Sequence, residues 1–414
     1  MSKPLKGIKV LDLTTFVAAP CVCRLLSDLG AEVIKIERNS GDGWRETSTT
    51  YCPNEFNLDE NPIYDYYNAG KKHITLNIKA PEGREIFDKL MDQADIFVTN
   101  TRLGALKRLG IDYETLKASH PSLIYAMVEG YGEKGEDANT PAFDTTAFWA
   151  RCGMLPDLSV ADENGECEPI YPPSSVGDTV NAFLLLAEIN AALYQRTMTG
   201  EGQLCKVGLF RTGIFTFGTM QAASARPYGK KYPMKAYDHS NLAGNYRCKD
   251  GKYMYIATGV VAETFTKICL LCEHPEWQED ERFNTAAARW KYRKEFYYLT
   301  REIFLTKTRD EWMARAKQVD LAAGIVNGFA DVTEDPQALA NGYLEDVTYR
   351  TGRTLKVSAS PLDMTALHGE DMSTKPAPLP GTDNTEVLLS LGYTEEQIAA
   401  LNESGVIKPT FRKV

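Results

Sequence analysis

The residues in this chain that could do chemistry are scattered, and one carboxylate stands out by its placement. Asp178 follows Val176-Gly177 and opens the apolar run Thr179-Val-Asn-Ala-Phe-Leu-Leu-Leu186. An aspartate there can act as a helix N-cap, accepting from the free N–H groups of the first turn. It can equally serve as a covalent nucleophile, because a carboxylate held in a desolvated wall attacks a positioned electrophile. The residues alone leave both readings open. Arg38, Lys71, Lys72 and Lys79 lie beside strand-like runs and Arg108 in a helical run after another; they are either solvated side chains or a cluster suited to a phosphate-bearing ligand. The five histidines, His73, His120, His239, His274 and His368, show no zinc-protease or deaminase spacing, and no Gly-x-Ser-x-Gly elbow occurs. Acid, base and nucleophile roles therefore fall to carboxylates.

The nine cysteines, at 21, 23, 52, 152, 167, 205, 248, 269 and 272, are an odd number in a chain too long to need covalent staples. Cys269-Leu-Leu-Cys272-Glu-His274 is the one ligand-like grouping, but no second pair follows at zinc-site spacing, so buried helical thiols and no metal are expected. Cys21 and Cys23, at a helix start, read as small buried residues in preference to reactive thiols.

The elements that must position these groups alternate between strand and helix. Gly7-Ile-Lys-Val-Leu-Asp-Leu13 predicts a strand, Ala18 to Gly30 a helix with Leu25, Leu26 and Leu29 on one face, and Ala31-Glu-Val-Ile-Lys-Ile-Glu37 the next strand. The pattern recurs with strands at 73–78, 94–99 and 123–128 and helices from Pro81 and near Leu103. Such alternation implies an open, mostly parallel sheet covered on both faces. Yet the first turn, Leu13-Thr-Thr-Phe-Val-Ala-Ala-Pro20, lacks the three glycines of a dinucleotide-binding turn, which disfavours a standard NAD site. The stretch 130–177 reads as a long irregular loop, followed by an apolar helix from Thr179 to about Thr197 and a strand at 204–210. Asn245 to Ile256 around Asp250-Gly251 carries a hairpin signal.

With 414 residues, the length suggests two or three domains or one elaborate fold. The predicted boundaries are a large domain over 1–200, a linker at 201–225, a smaller α+β domain at 226–325, and a closing 326–414 segment returning to the large domain. Hydrophobic residues at 43%, charged residues at 25% and a net charge of -10 match a globular chain and exclude a broad electrostatic grip on nucleic acid. The start, Met-Ser-Lys-Pro-Leu-Lys-Gly, lacks the apolar core of a signal peptide, and no 18-residue uninterrupted apolar run is present. A cytoplasmic protein with no membrane partner is expected.

Pro4-Leu-Lys-Gly-Ile-Lys-Val-Leu-Asp-Leu13, Ala18-Ala-Pro20, Leu29-Gly-Ala-Glu-Val-Ile-Lys-Ile-Glu-Arg38, Asn68-Ala-Gly-Lys-Lys72, Leu106-Lys-Arg-Leu-Gly110, Gly130-Tyr-Gly132, Gly177-Asp178, Thr199-Gly-Glu-Gly202 and Asn384-Thr-Glu-Val-Leu-Leu-Ser-Leu-Gly392 run in one order along the chain. Together they resemble the class III CoA-transferases, the formyl-CoA:oxalate and carnitine type, over essentially the whole length. The resemblance implies an α/β fold with a Rossmann-like large domain, a small α+β domain and an interlaced homodimer. It also implies coenzyme A thioesters and carboxylic acids as substrates, with no tightly bound cofactor. It places CoA contacts on Val17, Ala18, Arg38, Leu76, Lys79, Asn100 and Arg108, and a catalytic aspartate on Asp178 that is also the helix-start residue. Phe143-Asp144 stands where related racemases carry His-Asp, which disfavours racemisation. A non-catalytic CoA- or nucleotide-binding protein is the other reading that the βαβ pattern leaves open. The run 257–262 holds one glycine where formyl-CoA:oxalate enzymes carry a glycine-rich lid, which implies a different cover. The segment from Gly130 through Phe143 to Arg151 looks most like clostridial cinnamoyl-CoA:phenyllactate and 2-hydroxyisocaproate CoA-transferases, implying a 2-hydroxy acid. Phe143, Asp144, Phe148 and Trp149, with Met154, are the candidate acyl-pocket residues.

Overall fold

The computed structural model describes residues 2–47, 59–239, 242–257, 259 and 261–410. Cys52 and, in the expected lid segment, Thr258 and Val260 lie outside the described residues. The chain divides into two compact units: Met1–Cys152, Pro172–Thr219 and Pro336–Val414 form the first, and Gly153–Tyr171 with Met220–Asp335 the second.

The strands run in chain order as β1 (Lys9–Leu13), β2 (Glu32–Glu37), β3 (Lys72–Thr75), β4 (Ile96–Thr99), β5 (Ile124–Glu129), β6 (Val160–Ala161) and β7 (Leu204–Gly208). All but β6 join one parallel sheet in the order β3-β2-β1-β4-β5-β7. Successive side chains in a strand alternate faces, and a parallel sheet is covered on both. Thus Val10, Ile96, Val98, Ile124 and Ala126 pack on one side, while Leu11, Phe97, Tyr125 and Met127 pack on the other. The mixed α/β class with a large parallel sheet is as the sequence predicts.

Helices α1 (Ala18–Asp28), α2 (Gly43–Thr47), α3 (Pro62–Asn68), α4 (Pro81–Met91), α5 (Leu103–Leu109) and α6 (Tyr113–Ser119) lie between the strands. On the second face, Ile86 and Leu90 of α4 meet Val387, Leu388, Ile398 and Leu401 of two C-terminal helices, Asn384–Ser390 and Glu395–Glu403. Those helices explain why 384–403 carries helical periodicity so far from the other sheet elements.

The predicted loop 130–177 is not structureless. It holds a π-helical turn at Asp144–Ala150, then α7 (Met154–Asp157) and β6. Helix α8 (Val176–Thr199) follows and ends at Gly200, whose φ of +76° closes the last turn as glycine readily allows. Its Leu185 and Ile189 are fully buried with α1 residues such as Val22 and Leu26, each contributing about 1.5–3 kcal/mol of burial. Helix α9 (Leu209–Thr216) follows β7 directly.

In the second unit, β8 (Met234–Lys235) pairs with β6, which draws 153–171 into this unit instead of the large domain where the predicted boundaries put it. Strands β9 (Gly244–Arg247), β10 (Tyr253–Ile256) and β11 (Ala323–Val326) make an antiparallel sheet in the order β11-β10-β9. The β9–β10 hairpin pairs Arg247 with Tyr253, and Gly251 takes φ +78° in its turn. Tyr246, Met254 and Ile256 pack there with Phe265, Ile268, Phe296, Phe304 and Trp312.

Candidate active site

The sheet order reverses between β1 and β4, and open α/β sheets bind ligands beyond the carboxyl ends of their strands at such a switch point. The loop leaving β1 is fixed there atom by atom. Lys35 Nζ donates to the Thr14 carbonyl at 2.9 Å. Asn100, just past β4, accepts from Thr15 N at 3.1 Å and donates to Thr15 O at 2.7 Å. Asp42 accepts from Phe16 N at 3.1 Å. Lys35 and Asp42 are themselves buried and 3.1 Å apart. Burial would depress the Lys35 ammonium, but the carboxylates of Asp12, Asp42 and Glu37 outweigh it and hold its pKa above the ordinary value. The clamps secure a backbone in which Phe16 has φ +64°, a conformation costing a non-glycine residue about 1–3 kcal/mol.

A cavity of about 410 Å³ opens beside this loop, a volume in the range of small-molecule sites. Phe16, Val17, Ala18, Asn100, Arg102, Lys107, Met127, Glu129, Tyr131, Phe143 and Asp178 are on its walls. Val17 and Ala18 form the start of α1, where first-turn N–H groups lack intrahelical partners and attract anions. Phe143 meets Phe16 edge to face, with centroids 5.3 Å apart. Arg102 and Lys107, at the start and end of α5, place positive charge on one wall.

Asp178 enters this cavity from α8. The helix begins at Val176, so Ser175 is the N-cap residue and Asp178 occupies the third helical position. The N-cap reading of Asp178 is corrected accordingly: the helix extends three residues beyond the apolar run because Val176 and Gly177 take helical geometry. Ser175 adopts φ +67°, a second strained non-glycine residue, at the N-terminus of the helix that carries Asp178. Asp178 is partly buried, and burial, followed by the charge of Asp144, raises its pKa from 3.8 to about 7.

Asp144, in the π-helical turn, is 5% exposed. Burial pushes its carboxyl up to about 6, against the lowering influence of the N–H groups of Gly177, Ser175, Trp149 and Asp178. None of these donors reaches either oxygen with hydrogen-bond geometry. Gly177 is where the turn meets α8: an added Cβ would lie 2.3 Å from Asp144 Oδ1 and 2.3 Å from Phe148 Cγ. The Gly177-Asp178 pair in the sequence thus combines a close-packing site with the carboxylate it delivers.

Of the predicted CoA contacts, Val17, Ala18 and Asn100 share the cavity with Asp178, whereas Arg38, Leu76, Lys79 and Arg108 are not on its walls. Arg38 and Lys79 are exposed beyond the ends of β2 and β3, Leu76 is buried at the end of β3, and Arg108 is exposed on α5. Lys71 is fully buried and donates to Asp12 and to the carbonyl of Pro20, each at 2.9 Å, which removes it from any ligand cluster. Among the acyl-pocket candidates only Phe143 faces the cavity. Phe148 and Trp149 are buried and not on its walls, and Phe148 lies against Gly177 and Gly213. Asp144 lies behind the wall, and Met154 belongs to the second unit. Cys21 and Cys23 are buried inside α1, and burial pushes the Cys21 thiol up to about 12. Phe16, Arg102, Lys107 and Glu129 went unselected in the sequence. Their signal was position, since each lies at or just past the carboxyl end of β1, β4 or β5 or on the helix that follows.

Comparison with known proteins adds an independent finding. The family model described as CoA-transferase family III matches residues 5–384. The chain is 37% identical over 405 residues to (R)-2-hydroxy-4-methylpentanoate CoA-transferase of Clostridioides difficile, covering 98% of this chain and 99% of that one. It is 35% identical over 403 residues to cinnamoyl-CoA:phenyllactate CoA-transferase of Clostridium sporogenes, covering 96% and 95%. Among solved structures, a CAIB/BAIF family protein from Brucella suis superposes with a TM-score of 0.79 at 29% identity, covering 94% of this chain and 100% of that one.

Proposed function

The chain belongs to CoA-transferase family III, and from that premise we propose that it moves CoA from an acyl-CoA to a free 2-hydroxy acid, with Asp178 as covalent nucleophile. The observation that carries the reading is the carboxylate of Asp178 on the wall of the switch-point cavity, raised in pKa by burial and by Asp144. A basic carboxylate is a strong oxygen nucleophile once ionised. The acid class rests on the two relatives named for 2-hydroxy-4-methylpentanoate and phenyllactate, and on the Phe16–Phe143 pair, an apolar surface for a branched or aromatic side chain.

In the proposed sequence, an Asp178 oxygen adds to the thioester carbonyl of the donor. The carbon–sulfur bond breaks, leaving a mixed anhydride and CoA thiolate. The thiolate then adds to the Asp178 carbonyl, expelling the donor acid as its carboxylate and leaving an aspartyl-CoA thioester. An acceptor carboxylate attacks that thioester and releases thiolate again. The thiolate finally takes the acceptor's acyl group from the second anhydride, restoring Asp178. No water is consumed, so the thioester energy survives only while water is excluded. Free N–H groups at the start of α1 are suited to the oxyanions of each addition.

CoA is long, and the predicted contacts form a track suited to it. Arg38, Leu76 and Lys79 follow β2 and β3, about 5–10 Å from β1 at the usual strand spacing. There they would hold the phosphorylated nucleotide end, while the pantetheine arm passes Val17, Ala18 and Asn100 toward Asp178; Arg108 completes the proposed set. Coenzyme A acts here as substrate, with no tightly bound cofactor. We place the enzyme in the cytoplasm and propose an interlaced homodimer; apolar side chains exposed on α8 and α9, among them Phe183, Tyr194, Met198 and Phe215, support the second of these.

A matrix of acyl-CoA donors against oxalate, carnitine, phenyllactate, 2-hydroxyisocaproate and short fatty acids tests the substrate class; fastest transfer to the 2-hydroxy acids is expected. Hydroxylamine added during turnover should mark Asp178 as its hydroxamate. Ordinary transfer by Asp178→Ala would refute the nucleophile.

A further inference from the structure

Asp178 occupies the third position of a 24-residue helix, where unpaired N–H groups and the helix dipole ordinarily stabilise a carboxylate. In this chain another carboxylate is there already. Asp144 lies against the start of α8 so closely that a Cβ on Gly177 would meet its Oδ1 at 2.3 Å. It is buried, both its oxygens lack a partner with hydrogen-bond geometry among the described residues, and the N–H groups of Gly177, Ser175 and Asp178 act on it. Resting on the reading of Asp178 as nucleophile, we propose that Asp144 is a positioning residue whose carboxylate occupies the N-terminus of α8 and so prevents the helix from quenching the Asp178 carboxylate.

The groups facing this turn from its neighbours leave Asp144 as the charge that matters. From α1, the Cys21 thiol faces Asp178, and burial keeps it neutral by raising its pKa to about 12. From α3, the Tyr67 hydroxyl faces Ser175 and Thr179, and burial raises its pKa as well. Arg102, Lys107 and Glu129 share the cavity walls with Asp178, but among the described residues Asp144 is the charged side chain that shifts its carboxyl.

The arrangement gives direction to the reaction. In the mixed anhydride, CoA thiolate can add to either carbonyl, and the less basic carboxylate leaves more readily. Addition to the substrate's carbonyl merely regenerates the donor. Addition to the Asp178 carbonyl breaks its bond to the bridging oxygen, and the substrate acid departs with the electron pair, leaving aspartyl-CoA. An Asp178 carboxylate of raised pKa is more basic than the carboxylate of an ordinary donor acid, so in the donor anhydride the productive addition is favoured.

The test is the pH dependence of kcat/KM for the wild type, Asp144→Asn and Asp144→Ala, together with hydroxylamine trapping in the wild type. The wild-type profile should show an acid limb near pH 7, following the raised pKa of Asp178. In Asp144→Asn the limb should move down by about one pH unit, because the like charge is gone while burial remains. A limb that stays in place in both variants would overturn the proposal. So would a wild-type limb near that of an ordinary aspartate, a result that needs no folded variant. A wild type yielding no Asp178 hydroxamate would overturn the nucleophile itself, which separates that failure from an unmoved limb in an enzyme that traps normally.

Discussion

Replacing Asp178 by asparagine should abolish the reaction and yet stabilise the fold in alkaline solution. Burial first, and the charge of Asp144 second, raise this carboxyl from 3.8 to about 7. A carboxyl whose pKa is higher in the folded chain favours folding while protonated. Its contribution is full below its unfolded pKa and is lost as pH rises through the folded one. A shift of about three pH units at ~1.36 kcal/mol each sets a ceiling of about 4 kcal/mol. Because Asp178 borders an open cavity, solvent screening brings the expectation to about 2 kcal/mol. The assay is urea unfolding of the ligand-free wild type and Asp178→Asn at about pH 4.5 and about pH 8.5. Groups remote from Asp178 cancel in the difference, which leaves the contribution of Asp178 together with its coupling to Asp144. The variant's advantage should grow by about 2 kcal/mol between the two conditions, with Tm moving in the same direction. A constant difference across that interval, or a variant that loses ground as pH rises, would refute the placement of Asp178 in a charge-averse wall.

Two substitutions test the packing around that wall. Gly177→Ala places a methyl group 2.3 Å from both Asp144 Oδ1 and Phe148 Cγ; a loss of about 1–3 kcal/mol from overpacking is expected, with turnover falling at least tenfold, and wild-type stability and turnover would contradict the close approach. Asn100→Ala removes both side-chain hydrogen bonds to Thr15; unfolding titrations should show a loss of about 1–3 kcal/mol, and steady-state kinetics should show KM for the acyl-CoA rising more than kcat falls. An unchanged KM would count against Asn100 as the clamp of this loop.

The fold was legible wherever apolar periodicity was unbroken. Val10 and Leu11, Ile96 and Phe97, and Ile124 and Tyr125 divide between the two faces of the sheet as a buried parallel sheet requires. Asp178 was visible as a candidate, but composition could not separate an N-cap from a nucleophile. Its helical position depends on Val176 and Gly177, both poor helix formers whose types argue against the extra turn. The π-helical turn at Asp144–Ala150 was missed because a seven-residue irregular helix leaves no 3.6-residue stripe. Lys71 misled for the opposite reason. A lysine before a strand reads as solvated or ligand-facing, and only the fold reveals that Asp12, 59 positions away in sequence, receives it in the core.

Asp12, Lys35, Asp42 and Lys71 also explain why charge is retained in a core where apolar residues would be cheaper to bury. The loop after β1 turns its backbone away from both sheet and helix, so its peptide groups need side-chain partners. Apolar replacements would fill the volume but leave the Thr14 carbonyl and the Phe16 N–H unpaired, at about 1–3 kcal/mol each. They would also leave nothing to offset the strained φ of Phe16. The ionic network is therefore best understood through what it holds: Phe16, Val17 and Ala18 stay fixed on one wall of the cavity while α8 fixes Asp178 on another. The proposed addition of the Asp178 carboxylate to a thioester needs the reacting atoms held in place, because misplacement by about 1 Å can cost a hundredfold in rate. Buried charge in this sheet serves the geometry of the site at the expense of fold stability.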